Sequence, residues 1–186
     1  MEDVRVKRYN DATDKLIAQV ESVDLPYGFR KTYNMTNMMY MFRLAFCEPL
    51  IRNAILSPVY EQERIESGRY SAGFCSVASY TWSQLFRWSN GEEFWRLKAY
   101  SGNCSVPGLT DHVWLENAVD GQILDITFDQ SIDGRGNILE IPYHLGQTVG
   151  SNFEYPRANT FAALMGIDLQ HVFIDNMFRR ALSKQL

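Results

Sequence analysis

The most informative stretch of the chain reads Ala72-Gly73-Phe74-Cys75-Ser76-Val77-Ala78-Ser79-Tyr80-Thr81-Trp82. A glycine-bearing turn leads into apolar side chains at helical spacing, which predicts a central helix with Cys75 on its first turn. Unpaired backbone N–H groups and the positive end of the helix dipole favour a thiolate at such a position, and the thiolate is the nucleophilic form of cysteine. We therefore expect Cys75 to be an activated thiol.

Two predicted strands downstream bring a histidine and an acid together. Residues 111–117 include His112, residues 122–130 include Asp125 and Asp129, and an Asp120-Gly121 turn separates them. If residues 118–121 form a four-residue loop, Asp125 lies one diagonal step from His112 on the same face of the sheet. If Asp120-Gly121 alone forms a tight turn, Asp129 lies directly opposite His112. Both registers supply an acid to the histidine.

The rest of the chain is consistent with one domain spanning residues 1–186. Helical spacing predicts helices over residues 11–23 and 36–46, with Pro49 splitting off a further segment at 50–56. A polar stretch covers 57–68. Strands are predicted at 94–100 and 138–141, and residues 160–186 are expected to be helical with a break near Gly166.

Composition excludes several classes of function. The 186 residues are 46% hydrophobic and carry a net charge of −4, and the pI is about 5.4, so no nucleic-acid partner is expected. The N-terminus lacks the apolar segment of a secretory signal, and no stretch approaches the ~20 apolar residues of a membrane span. These features predict a cytoplasmic location, with export by a non-classical route left open.

The three cysteines, Cys47, Cys75 and Cys104, are judged one by one because they are odd in number and lack CxxC spacing. Cys47 lies in an apolar helical run and is expected to be a buried structural residue. Cys104 lies in a loop without a helix end to activate it. Cys75 is therefore the candidate nucleophile.

These motifs resemble the papain-like cysteine enzymes of the transglutaminase-like superfamily. The resemblance covers roughly residues 70 to 130: Gly73-Phe74-Cys75 matches the nucleophile segment, His112-Val113-Trp114 the histidine strand, and Leu124-Asp125-Ile126-Thr127 the acid strand. It implies an α+β fold in which the nucleophile helix packs on an antiparallel sheet, with helices flanking it at both ends of the chain. It also implies Cys75 as nucleophile, His112 as general base and acid, and Asp125 rather than Asp129 as the orienting acid. No cofactor or metal is implied.

Donors for an oxyanion are less clear from the sequence. The glutamine that several papain-like enzymes carry shortly before the nucleophile is absent here. The backbone N–H of Cys75 is one candidate, and Tyr70 and Gln130 are side-chain candidates.

The expected activity is acyl transfer from a peptide bond or a glutamine amide through a thioester. Water as acceptor gives a protease or a deamidase, whereas a lysine amine gives transglutaminase crosslinking, and the expected partner is a protein or peptide substrate. An alternative is a catalytically silent interaction domain whose binding surface uses Trp82, Trp88, Trp95 and Trp114. A metal site built from Asp111, His112, Asp125 and Asp129 is the weakest alternative, because no metal-binding motif is present.

Overall fold

The computed structural model describes residues 4–30, 32–102, 111–133, 137–150 and 155–185. These parts of the chain form an α+β structure with seven helices and a four-stranded antiparallel sheet of order β3-β2-β1-β4. The helices are α1 (Val4–Glu21), α2 (Met35–Ala45), α3 (Pro49–Ile55), α4 (Pro58–Ser67), α5 (Cys75–Leu85), α6 (Tyr155–Leu164) and α7 (Leu169–Ser183). The strands are β1 (Trp95–Ser101), β2 (Asp111–Asn117), β3 (Ile123–Leu124) and β4 (Gln147–Thr148).

Helix α5 is the centre of the structure, and the predicted central helix is confirmed. Every residue of α5 after Cys75 is buried, and the helix packs against β1, β2, α6 and α7. A helix that is buried on all sides needs apolar or small side chains around its whole circumference. Trp82 anchors it, since its ring lies 4.4 Å from that of Phe86 and 5.7 Å from that of Phe42 on α2.

The register of β2 and β3 decides between the two acids. Leu115 pairs with Leu124 and Glu116 with Ile123, and the N–H of Asn117 donates to the Gln122 carbonyl at 2.8 Å. Residues 118–121 therefore form the four-residue loop, rather than the tight Asp120-Gly121 turn. Asp125 follows directly after β3. Continued by one residue, this register places Asp125 opposite Trp114, one diagonal step from His112 on β2.

The acid strand is shorter than predicted, because it ends at Leu124 instead of continuing to residue 130. The N–H and the hydroxyl of Thr127 both donate to Asp125 Oδ1, each at 3.0 Å. Such side-chain hydrogen bonds turn the backbone and compete with a β-ladder. A 3-10 turn (Phe128–Ser131) then carries Asp129.

The helices match the prediction in their breaks and differ from it in their extent. Pro49 separates α2 from α3, and Gly166, at φ 77°, separates α6 from α7 as expected. Helix α1 begins at Val4 rather than at residue 11, and the polar stretch 57–68 contains α4. The strand predicted at 138–141 is wrong, since the segment makes only an isolated bridge between Ile132 and Ile138.

A buried ion pair fastens the N-terminal helices to the segment that follows β3. Arg43 of α2 and Asp129 are 2% and 3% exposed, and Arg43 Nη1 lies 2.6 Å from Asp129 Oδ1. Arg43 also donates to the Ile126 carbonyl at 3.0 Å and to Thr13 Oγ1 of α1 at 3.0 Å. Asp129 in turn accepts hydrogen bonds from the N–H and the hydroxyl of Ser71, at 3.1 and 2.7 Å. Because the guanidinium and the carboxylate have these additional partners, both charges are accommodated inside the protein.

Removing the Asp129 carboxylate should destabilise the protein strongly. We expect Asp129→Ala to lower the free energy of unfolding by about 3–5 kcal/mol, because Arg43 would remain buried without its counter-charge. Urea denaturation followed by circular dichroism measures the loss. Asp11→Ala is the control, since it removes an equally charged residue from an exposed pair with Lys7 and should change the stability little. Equal, small effects of both substitutions would contradict a structural role for Asp129.

Candidate active site

Cys75 begins α5 and is partly exposed, in contrast to the rest of that helix. The preceding Gly73 has φ 79°, a left-handed conformation that favours glycine. A Cβ at Gly73 would also lie 2.8 Å from Cβ and Cγ of Tyr60, so the turn tolerates no side chain there. The N–H of Cys75 is the first of the helix, and among the described residues no backbone carbonyl beyond the helix accepts a hydrogen bond from it. Cys75 thus combines a partly exposed thiol with a backbone donor at the positive end of a helix.

His112 lies on β2 with its ring almost completely buried. Its Nε2 is 2.7 Å from Asp125 Oδ2, and the side chains are 1% and 3% exposed. The other ring nitrogen, Nδ1, is buried and has no hydrogen-bond partner in the described part of the chain. Trp114 stacks beside the ring with a centroid distance of 6.1 Å and an interplanar angle of 24°. The imidazole is therefore held in one orientation, with one nitrogen on the acid and the other left for a reaction partner.

Asp125 is surrounded by hydrogen-bond donors. Asp125 Oδ2 is hydrogen-bonded to the imidazole of His112 and accepts a hydrogen bond from the Tyr143 hydroxyl at 2.8 Å. Asp125 Oδ1 accepts hydrogen bonds from the N–H and the hydroxyl of Thr127. Burial alone would raise the pKa of Asp125, but the charge of His112 and the hydrogen bonds from His112, Tyr143 and Thr127 lower it below its ordinary value. Asp125 therefore stays ionised.

The electrostatics of His112 join the three side chains into one unit. Burial favours the neutral imidazole, yet the charge and the hydrogen bond of Asp125, and to a smaller extent the nearby Cys75, raise the pKa of His112 to about 10. Asp125 is thus hydrogen-bonded to His112 through Nε2, and Cys75 lies near enough to the imidazole to influence its pKa.

Tyr143 is a site residue that the sequence analysis missed. Burial and the neighbouring Asp125 charge raise its pKa far above the ordinary value, so its hydroxyl remains a donor. The ring packs edge-on against Trp114 at 5.1 Å, and Gly146 leaves the space that the Trp114 ring occupies. No sequence signal identifies this contact, since Tyr143 lies in an irregular segment 18 residues beyond Asp125.

The other predicted candidates lie elsewhere or have other partners. Asp129 does not pair with His112, because its carboxylate binds Arg43 and Ser71. Gln130 donates its amide to the Ser71 carbonyl at 2.6 Å, which holds the turn before Cys75 and removes that amide as an oxyanion donor. The ring of Tyr70 packs on Tyr9 at 5.0 Å, in a cavity lined by α1 and α2. The backbone N–H of Cys75, at the first position of α5, stays a candidate donor.

The remaining alternatives also find little support in the geometry. Cys47 is half-buried, and burial is the main reason that the pKa of its thiol is raised. Cys104 lies outside the described residues. Within the described ranges, no three His, Cys, Asp or Glu side chains come together in a way that could hold a metal ion. Trp82, Trp95 and Trp114 are 0% exposed, so these rings do not form a binding surface.

Tyr60 of α4 and Arg157 of α6 lie beside Gly73, in the turn that precedes Cys75. Tyr60 is so close to Gly73 that a Cβ there would overlap it, and Arg157 donates weakly to the Gly73 and Ile55 carbonyls, at 3.4 and 3.3 Å. Burial raises the pKa of Tyr60, and the charges of Cys75 and Asp111 add to the effect while Arg157 opposes it.

Comparison with known proteins finds no matching family model, no matching curated protein and no matching solved structure. The resemblance described above consequently depends on the residues of this chain and on their arrangement.

The ionic character of the His112–Asp125 pair can be tested by NMR. We expect the His112 ring to stay protonated through neutral pH in the native protein and to lose its proton at lower pH in Asp125→Asn, because the carboxylate charge is the main favourable influence on the imidazolium. The folded pKa of His112 lies above the ordinary value of 6.5. The protonated His112 ring therefore contributes fully to the stability of the protein below about pH 6.5, and this contribution is lost as the pH rises through about 10.

The measurement follows the ring carbon-bound protons against pH, with the His112 signal assigned from His112→Gln. The ring signals of His144 and His171 serve as internal references, since the Asp125→Asn substitution removes no hydrogen-bond partner of either ring. An identical titration of His112 with and without the Asp125 carboxylate would contradict the ion pair.

Proposed function

We propose that this protein is a cysteine-dependent acyl-transfer enzyme of the papain-like, transglutaminase-like type, acting on a peptide bond or a glutamine amide. One observation carries the proposal: a buried imidazole has one nitrogen on Asp125, and its pKa is raised mainly by Asp125 and further by Cys75, which lies at the start of a buried helix. A purely structural histidine in a buried strand would be expected to have both nitrogens hydrogen-bonded to the protein. Here Nδ1 has no hydrogen-bond partner among the described residues, and Cys75 is partly exposed.

The chemistry starts from a thiolate paired with the His112 imidazolium. Asp125 stabilises that pair because it is ionised and fixes the imidazole through Nε2. The sulfur attacks the substrate carbonyl, and the electron pair of the C=O bond moves to the oxygen. The N–H of Cys75 donates to this oxyanion. His112 then gives its Nδ1 proton to the leaving amine as the C–N bond breaks, which leaves a thioester on Cys75 and a neutral imidazole.

The acceptor of the acyl group determines the net reaction. His112, now neutral, takes a proton from the incoming nucleophile, and collapse of the second tetrahedral intermediate releases Cys75 as a thiolate. Water is always present, so hydrolysis is the expected outcome, either as proteolysis or as deamidation of a glutamine side chain. A lysine amine would instead give a crosslink. The partial exposure of Cys75 and of the neighbouring Tyr60 is consistent with a protein or peptide substrate.

Alkylation kinetics test the proposal without knowledge of the substrate. The labelling is done at about pH 6, well below the ordinary thiol pKa of about 8.5. Iodoacetamide should label Cys75 at least about tenfold faster than Cys47, because the imidazolium of His112 stabilises a thiolate at Cys75. Peptide mapping by mass spectrometry gives the rate at each of the three cysteines.

His112→Ala should remove this selectivity, whereas His144→Ala, which changes a histidine outside the site, should retain it. Slow labelling at equal rates for all three cysteines of the native protein would favour a catalytically silent domain instead.

A further inference from the structure

A cleft of about 390 Å³ lies between α5 and α7, apart from the Cys75 site. Its lining residues come from the end of α5, the turn after it and one side of α7: Gln84, Arg87, Gly91, Phe173, Asn176, Met177, Arg180, Ala181 and Lys184. The charged members of this set are all basic. The cleft therefore combines positive charge with an apolar wall formed by Phe173, Met177 and Ala181.

The cation at the base of the cleft is buried. Arg87 is 4% exposed, its Nη1 donates to the Gly91 carbonyl at 3.2 Å, and its Nη2 lies 3.6 Å from Glu93. Burial is the main reason that the pKa of Arg87 is lowered, and the nearby charge of Arg180 lowers it further while Glu93 opposes both. Glu93 offsets the charge of Arg87, so the positive charges that a bound anion would balance are those of Arg180 and Lys184 in the lining of the cleft.

Two buried donors in the lining also lack partners. Gln84 Nε2 and Arg87 Nε have no hydrogen-bond acceptor in the described part of the chain. The other groups of Gln84 are occupied, because Asn176 donates to its backbone carbonyl at 3.0 Å and to its side-chain oxygen at 3.3 Å. Buried donors without an acceptor are uncommon in folded proteins and are costly. Both lie on residues that an anion in the cleft would meet.

The cleft is held in shape by a close contact of the backbone. Gly91 has φ 82°, and a Cβ there would overlap the Asn176 carbonyl of α7. The turn between α5 and β1 therefore lies directly on α7, and it places the Gly91 carbonyl where Arg87 donates to it. A preformed site of this kind needs little rearrangement when a ligand binds.

We propose that the cleft between α5 and α7 binds a phosphate monoester that carries an apolar group. A phosphate has two negative charges near neutral pH and several acceptor oxygens, which suit the donors of Arg87, Arg180 and Lys184. The apolar group of the ligand would pack on Phe173 and Met177. This shared chemistry has two sources, a soluble phosphate monoester and the headgroup of an anionic lipid, since Phe178 and Leu182 of α7 are also exposed, at 67% and 59%.

Phenyl phosphate is the probe for the test, and its binding to the full chain is measured by titration calorimetry with benzyl alcohol as the uncharged comparison. Arg180→Ala should weaken the binding of phenyl phosphate by about tenfold or more, because it removes a charged donor from the phosphate. Arg179→Ala is the matched control. This substitution removes the same charge from the residue that precedes Arg180 on α7, and Arg179 pairs with Asp175 instead of lining the cleft. It should change the affinity for phenyl phosphate by less than about twofold.

Vesicles of phosphatidylcholine with and without phosphatidic acid identify the source of the phosphate. Binding to phosphatidic acid that Arg180→Ala weakens and Arg179→Ala does not would assign a lipid headgroup, and the same pattern with phenyl phosphate alone would assign a soluble ligand. Equal effects of the two substitutions, equal affinity for benzyl alcohol, or no binding to either phosphate source would overturn the proposal. None of these outcomes depends on the chemistry of Cys75.

Discussion

The buried pair of Arg43 and Asp129 is the constraint on which the site depends. Asp129 accepts hydrogen bonds from the N–H and the hydroxyl of Ser71, and the turn that leads to Cys75 at the start of α5 begins at Ser71. Through the Ile126 carbonyl the pair holds the residue next to Asp125. One ion pair thus fixes the turn that presents the nucleophile and the segment that presents the acid. Because both charges lie in a low-dielectric interior, any movement that separates them carries a large cost.

The two aspartates after β3 show how environment assigns a role to the same chemical group. Asp129 faces a guanidinium, which does not give up its proton in proteins, so the pair serves the structure. Asp125 faces an imidazole, whose proton can be transferred, and Tyr143 and Thr127 hold the carboxylate in place. Only three residues therefore separate a carboxylate that anchors an arginine from one that binds an imidazole.

The sequence was sufficient for the parts of the structure that depend on local patterns. Helical spacing around Cys75 and strand alternation around His112 were enough to predict their elements, but the choice between Asp125 and Asp129 needed the length of a loop. Tyr143 and Arg43 were missed, because their partners lie far away in the chain and follow no periodic pattern. Two signals were present: an arginine in the otherwise apolar run of α2, which suggests a buried pair, and an Asp125-Ile126-Thr127 spacing, which suits a side-chain turn.

The central claim is that Cys75, His112 and Asp125 form one acylating centre, and trapping of the acyl-enzyme tests it most directly. The native protein is mixed with p-nitrophenyl acetate, quenched in acid and mapped by mass spectrometry. The account predicts a single acetyl group on Cys75 that hydroxylamine removes, as expected of a thioester, and its absence from His112→Ala. Acetylation spread equally over Cys47, Cys75 and Cys104, or the same yield on Cys75 without the imidazole, would contradict it.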